Sequence, residues 1–448
     1  MRHVKYAGTA KQRIFECIGI GFGPSNIALA ISLEERGLLA NSLFLEARAT
    51  IAWHPDMMMP GSDIQHNPLR DLVTPRNPAS RYGFLSYLKE NGRLFDYLNL
   101  DAPYPPRSDY NQYVKWVGEQ FCNNVLLSKF VTSVETSFTA IDGALVKVET
   151  SDGEVFWAKT LSVAPGRSPN IPACFTSLLG DRVIHLENYL SSATRWREMN
   201  PAPRVGVVGG SQSAIEIILD LMSKFPDGKI VNICRGFGFK QKDLSPFTEM
   251  IYYPDFVDYY FNAPHDMQKK ITHELKRSNY SAADHDVISA LNFKIYEQKI
   301  SGRSNLSLKF CREIVGAHRV GSEFSIDLLD MVSGQNEAIG LDFVILATGY
   351  KNFGSGDGSE PIHPILRGIS PQLRFRPDGG VDIARDYQVI PKGRSVEFPR
   401  IFVNGLCEST HGFGDAGSFS LLSVRSDIIA SSIAKALEQP RLRVGVGQ

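Results

Sequence analysis

Apolar positions fall into short runs parted by turn residues, and their period changes along the chain. Ile14 to Ile20 is a β-like run entering a tight turn, after which Ala28 to Arg36 keep helical spacing up to Gly37. A second apolar run, Ser42 to Leu45, closes in Glu46. The same order of strand, glycine turn, helix and strand returns from Arg204 to Cys234. Two further buried-strand runs end in glycine turns: Leu161 to Val163 runs into Ala164-Pro165-Gly166-Arg167, and Leu341 to Leu346 into Ala347-Thr348-Gly349-Tyr350. Phe237 to Lys299 mixes aromatic and charged residues at helical spacing and predicts a mainly helical insertion. Positions 301 to 339 alternate apolar and polar residues around turn signals, predicting a small antiparallel extension. Residues 1–13 and 438–448 read as loose termini.

Composition narrows the class. A chain of 448 residues predicts two or three domains. Lys+Arg and Asp+Glu balance at 48 each, without the basic surface a nucleic-acid partner requires. No run of about 18 or more apolar residues predicts a membrane span, and Met1 to Arg13 carries no apolar stretch of the signal-peptide kind. Cys17, Cys122, Cys174, Cys234, Cys311 and Cys407 lie far apart with no C-x-x-C. They predict reduced thiols in a cytoplasmic protein, with neither a metal site nor a dithiol redox centre.

The glycines carry the chemistry. Gly21 and Gly23 take the first two places of G-x-G-x-x-G, with Asn26 where the third glycine is expected. Gly21 permits the turn, Gly23 lets backbone approach a pyrophosphate, and Pro24 suits the first helical turn. Glu46 stands where a carboxylate accepts from a ribose hydroxyl. In the second unit Gly209, Ser211 and Ala214 follow G-x-G-x-x-A with serine for the second glycine, and Arg235 ends the next strand, where arginine suits the 2′-phosphate of NADP. Two dinucleotide sites in one chain indicate FAD reduced by NADPH. The predicted fold class is α/β, with two Rossmann-like dinucleotide-binding domains and a smaller helical substrate insertion. Residues 14–190 and 341–437 are assigned to the FAD domain. Residues 200–340 are assigned to the NADPH domain, with the insertion at about 237–299.

These motifs, together with Trp53-His54, Leu69 to Pro78, Gln212-Ser213-Ala214, Ser245-Pro246-Phe247, Asn279-Tyr280-Ser281 and Thr410-His411-Gly412, make the chain resemble the ornithine/lysine N-hydroxylating flavin monooxygenases of siderophore biosynthesis, from about Phe15 to Ile433. The resemblance implies that NADPH reduces FAD, that O2 adds to the flavin as a C4a-hydroperoxide, and that its distal oxygen passes to a neutral primary amine while NADP+ stays bound. It implies roles for Gln65 between flavin and nicotinamide, Asn279 at the substrate amine and Ser420 near both. Trp53, His54, Gln212, Ser213, Thr348, Gly349 and Tyr350 fall to the cofactors, with His66 and His411 in matching loops. It also implies a homo-oligomer, dimer or tetramer, whose partner is otherwise a small amine.

Two departures bear on the substrate. Arg70 replaces a lysine that pairs with the ornithine carboxylate, and Glu249 stands where an asparagine often meets the same group. Arginine can hold a carboxylate bidentately, whereas a glutamate facing a carboxylate repels it unless Arg70 bridges both. Ornithine or lysine is thus the expected substrate type. Putrescine, cadaverine or histamine is the alternative, and so is simple neutralisation of Glu249 by Arg70. A generic or Baeyer–Villiger-type flavin monooxygenase is the rival class.

Overall fold

Ile14–Ile20 and Arg204–Val208 are buried along most of their length on both faces, as parallel strands covered on either side must be. Each runs into a glycine turn and a helix, Pro24–Glu35 and Gln212–Lys224, and each seeds its own parallel sheet. The computed structural model describes residues 13–139, 141–393 and 397–438. Of the predicted loose termini, all but Arg13 and Glu438 lie outside the described residues, and Glu438 ends the helix Leu422–Glu438.

Among the described residues the first sheet has seven strands. Val125–Leu126, Ser42–Leu45, Ile14–Ile20 and Val155–Val163 lie side by side in parallel. Val155–Val163 is shared along its other edge. Its first half pairs antiparallel with Gly143–Thr150, which carries Val131–Thr139, and its second half pairs in parallel with Arg400–Val403. The chain therefore returns to its first sheet after passing through a second one.

That second sheet has five parallel strands in the order Leu306–Lys309, Lys229–Ile233, Arg204–Val208, Phe343–Leu346, Val183–His185. This corrects two expected boundaries. Val183–His185 and Phe343–Leu346, assigned by sequence to the FAD domain, complete the second sheet, because Phe343–Leu346 pairs with Arg204–Val208 on one edge and Val183–His185 on the other. Leu306–Lys309 likewise extends the parallel sheet, so the antiparallel unit begins only at Arg312. Trp196, Ile215, Ile218 and Leu291 from three helices cover one face of the sheet. Phe324, Ile326 and Leu328 of the antiparallel unit cover the other. No helix among the described residues is long and apolar enough to cross a membrane.

The chain crosses between the sheets twice, and the crossings are laced together. Asn170 N donates to Gly349 O at 2.9 Å, Lys351 N to Ser168 O at 2.8 Å, and Thr348 Oγ1 to Asn170 O at 2.5 Å. A second tie is buried between helices of the two units. Arg107, at the start of Arg107–Glu119, makes a bidentate pair with Glu216 on Gln212–Lys224, at 2.9 and 2.8 Å. Arg107 also donates to the Met57 and Asp63 carbonyls, at 3.0 and 3.1 Å.

Removing one partner of this pair strands a buried charge. Arg107→Ala is expected to lower the unfolding free energy by about 3–5 kcal/mol, whereas Arg107→Met combined with Glu216→Leu recovers most of that loss. Urea unfolding of the two variants against the parent checks this.

Candidate active site

The first glycine turn is shaped for close approach. Gly21 has φ +78°, and a Cβ there would lie 2.4 Å from the Ala164 carbonyl oxygen. Gly23 caps Pro24–Glu35 with no side chain over the helix end, and a Cβ on it meets no protein atom within 4 Å. Its backbone is thus bare where a pyrophosphate would meet the positive helix end. Pro24 sits in the first turn, as expected. A buried cation sits close by: Arg425 donates from Nη2 to Ser25 Oγ at 3.0 Å, from Nε to Asn404 Oδ1 at 2.8 Å, and from Nη1 to Asp415 Oδ1 at 3.1 Å.

From this turn opens a cavity of about 660 Å³, lined among others by Gly21, Gly23, Pro24, Glu46, Trp53, His54 and Tyr350. That size suits a dinucleotide, and the bare glycine end suits its phosphates. Glu46 holds the turn while facing the cavity, its oxygens accepting from Phe22 N at 2.7 Å and Arg48 N at 2.9 Å. Asn26 does not reach it. Its side chain is buried beneath the turn, donating to Gly21 O at 2.7 Å and Ile20 O at 3.2 Å and accepting from Ser162 Oγ at 2.7 Å. It braces the loop instead of touching a ligand. Thr348 and Gly349 are likewise absorbed by the laced crossings.

At the second turn Gly209 has φ +146°, with Ala347 O 2.4 Å from where a Cβ would sit. Ser211 caps Gln212–Lys224 without a side-chain hydrogen bond, leaving that helix end open. Asn232 repeats the bracing from the next strand, donating to Val207 O at 3.1 Å and Gly209 O at 2.8 Å. Arg235 is exposed beyond that strand and Ser213 is half-buried on the first helical turn. Gln212 turns inward, accepting from Asp284 N at 2.9 Å and donating to Glu216 Oε1 at 2.9 Å.

Gln65, with φ +59°, donates from Nε2 to Asp284 Oδ2 at 2.6 Å. A polar chain therefore runs Gln65–Asp284–Gln212–Glu216–Arg107, from the loop beside the first cavity into the second unit. Arg70, Glu249 and Ser420 come together as a wall behind Phe419. Arg70 Nη1 lies 3.3 Å from Ser420 Oγ and 3.5 Å from Glu249 Oε2. His66 stacks on Phe419 at 5.4 Å, and Trp53 meets the same ring edge-on at 5.0 Å. Tyr252 lies against the Arg70 guanidinium and donates to Ser278 O at 3.4 Å, tying the Glu249 turn to the turn that carries Asn279. The Asn279 backbone donates to Lys276 O at 3.3 Å, while its side-chain amide makes no hydrogen bond among the described residues and is available to a ligand.

Sequence motifs gave no sign of a buried cluster beside them. Arg167, which lines the cavity, donates to Tyr280 Oη at 3.0 Å and Asn352 Oδ1 at 3.2 Å. Glu408 accepts from Tyr280 and, at 2.8 Å, from Asn352. Burial pushes the Glu408 carboxyl up against the pull of Arg167. Tyr280, Asn352 and Glu408 also face a second cavity of about 720 Å³, so the cluster forms the partition between the two spaces. Burial, assisted by Arg48 and Arg107 at His54, lowers His54, His66 and His411 to about 4; His411 lines neither cavity and is stacked on Tyr387.

Two outcomes follow from this geometry. Gly23→Ala is expected to reduce bound flavin at least tenfold while the flavin-free protein melts within a few degrees of the parent. Gly21→Ala, forced into the Ala164 carbonyl, loses both; flavin absorbance and thermal melts separate the two. The histidines bind protons more readily unfolded than folded. Their contribution to stability is complete above about pH 6.5 and is lost as pH falls toward 4, by up to about 1.4 kcal/mol per pH unit for each. Urea midpoints between pH 7 and 5 should fall, and His66→Gln should flatten that slope.

The comparisons with known proteins agree with this geometry. The family described as L-lysine 6-monooxygenase/L-ornithine 5-monooxygenase matches residues 13–352. The L-ornithine N(5)-monooxygenase of Pseudomonas aeruginosa is 32% identical over 96% of this chain and 96% of its own, and that of Burkholderia cepacia 33% identical over 90% of each. The structure of an ornithine N-hydroxylase from Kutzneria sp. 744, with reduced FAD, NADP+ and L-ornithine, is similar with a TM-score of 0.86 at 30% identity, covering 95% of this chain and all of that one. An L-lysine 6-monooxygenase from Pseudomonas syringae is similar at a TM-score of 0.82 and 33% identity, over 95% of this chain and 100% of that one. With its two sheets, each opened by a bare glycine turn, this chain belongs to the L-lysine 6-monooxygenase/L-ornithine 5-monooxygenase family of flavin-dependent N-hydroxylating enzymes.

Proposed function

We propose that the protein N-hydroxylates the terminal primary amine of a small metabolite of the ornithine or lysine kind, using FAD, NADPH and O2, and releases a hydroxylamine for assembly into a hydroxamate siderophore. The observation that carries this reading is the pair of glycine-opened helix ends, Gly21–Gly23 and Gly209–Ser211, joined by the polar chain from Gln65 to Glu216. The first sheet and its cavity take FAD, and the second takes NADPH with Arg235 toward the 2′-phosphate. Reduced flavin supplies the activation of O2. The chain's own residues bind and orient. Gln65, fixed by Asp284, sits between the cofactors, and Asn279 holds the amine nitrogen. Trp53, His66 and Phe419 form an aromatic wall that keeps water from the reacting atoms. The neutral His54 and His66 add no positive charge to repel an ammonium substrate. A homo-oligomer, dimer or tetramer, in the cytoplasm completes the reading, which for these two points rests on the family.

Purified flavoprotein should form close to one hydroxylamine per NADPH oxidised with its proper amine. Asn279→Ala is expected to raise KM for the amine at least tenfold while NADPH oxidation continues uncoupled. Arg235→Ala should raise KM for NADPH at least fivefold and leave that for NADH unchanged. NADPH oxidation without hydroxylamine for every amine tried would overturn the reading.

A further inference from the structure

The charges around the amine wall say what the far end of the substrate meets, given the N-hydroxylation reading on which this inference rests. Glu249 Oε2 lies 3.5 Å from Arg70, but its Oε1 is buried with no hydrogen-bond partner. Asp284 repeats the pattern: Oδ2 accepts from Gln65 at 2.6 Å, and Oδ1 is buried without a partner. A third carboxyl, Asp63, accepts from the Gln65 backbone at 3.0 Å. Burial first, and then its neighbours Asp284 and Asp286, push the Asp63 carboxyl up to about 6. Asp63 and Asp284 repel each other, and one side chain senses all three acids. The half-buried Tyr104 feels Asp284, Glu249 and Asp63 together with Arg70.

Against these acids stand Arg70 and, acting on His66 from farther off, Lys242. Arg70 is already engaged with Ser420, Glu249 and the Tyr252 ring. A substrate carboxylate arriving here would have to take Arg70 from Glu249 and then lie beside the freed glutamate. An ammonium or N–H group would instead give the bare Glu249 oxygen the donor it lacks and leave Arg70 where it is. Buried acceptors gain most from a donor that reaches them, and a charged donor forms the stronger bond.

We propose that Glu249 selects a primary amine whose far end is a second cation or N–H donor and carries no carboxylate, such as an α,ω-diamine or an imidazolylalkyl amine. Asp284 and Asp63 add negative potential that favours the doubly charged form in solution.

The test uses the full flavin-loaded protein with NADPH and air, measuring hydroxylamine formed from ornithine, lysine, putrescine, cadaverine and histamine. At least one of the last three is expected to exceed both amino acids by tenfold or more in kcat/KM, and which one wins distinguishes the diamine from the imidazole source. That amine should also raise the melting temperature of the oxidised protein at concentrations where ornithine does not. Glu249→Gln, checked for unchanged flavin content, should raise KM for the preferred amine at least tenfold and narrow its lead over the amino acids. Preference for ornithine or lysine over all three overturns the inference and leaves the N-hydroxylation reading intact. Absence of hydroxylamine from all five, with flavin bound and NADPH oxidised, overturns both.

Discussion

The bidentate contact of Arg107 with Glu216 is the constraint on which the rest of the site depends. Each partner belongs to a different sheet's helix layer, and each is buried, so neither charge can be left alone. Glu216 accepts from Gln212, Gln212 fixes Asp284, and Asp284 fixes Gln65. Arg107 meanwhile pins the Met57 and Asp63 carbonyls, which precede Gln65 in the same loop. The loop is therefore held through its backbone ahead of Gln65 by Arg107 and through the Gln65 side chain by the bonds that lead to Glu216. A buried pair of this kind is a poor source of net stability but a strong source of register, which is what a site assembled from two sheets requires.

The two glycine turns solve one problem by different means. Both must bring bare backbone to a helix end, and both keep the turn from collapsing with an asparagine amide that bonds strand and turn carbonyls. In the first unit that asparagine sits on the helix itself, Asn26; in the second it comes from the neighbouring strand, Asn232. The equivalent helix position of the second unit is Ala214, which has no amide to offer, and Gln212 two residues earlier bonds Asp284 and Glu216. A motif residue absent from one position has been supplied from another, because the requirement is for a donor beneath the turn and not for a particular residue number.

This explains how the sequence could be read. Glycine turns, strand ends and the insertion were legible because left-handed backbone and close approach leave a mark on residue type. Arg70, Glu249 and Ser420 were legible from local signatures and do converge. Arg107 and Glu216 were not, since partners 109 residues apart look in sequence like ordinary charged helix positions. The same holds for Arg167 with Glu408. Of the run Leu341 to Leu346, Phe343–Leu346 is a buried strand as read but in the other sheet, and Leu341 ends a strand of the antiparallel unit: apolar composition says that a strand is covered on both faces, while its neighbour is chosen by edge pairing that composition does not record.

The paired crossings have a mechanical consequence. A single tether between two bodies allows rotation about any axis through it, while two tethers side by side allow rotation only about the line that joins them. Ser168–Asn170 and Thr348–Lys351 are such a pair, joined to each other by four hydrogen bonds. Any swing of the second sheet relative to the first is thereby limited to rotation about that line, and even this would have to break the buried Arg107–Glu216 pair. Arg167 stands immediately beside that line, with Tyr350 packed on its guanidinium. A cation that lines the cavity therefore lies close to the pivot, where the lever arm is shortest and its position is best preserved.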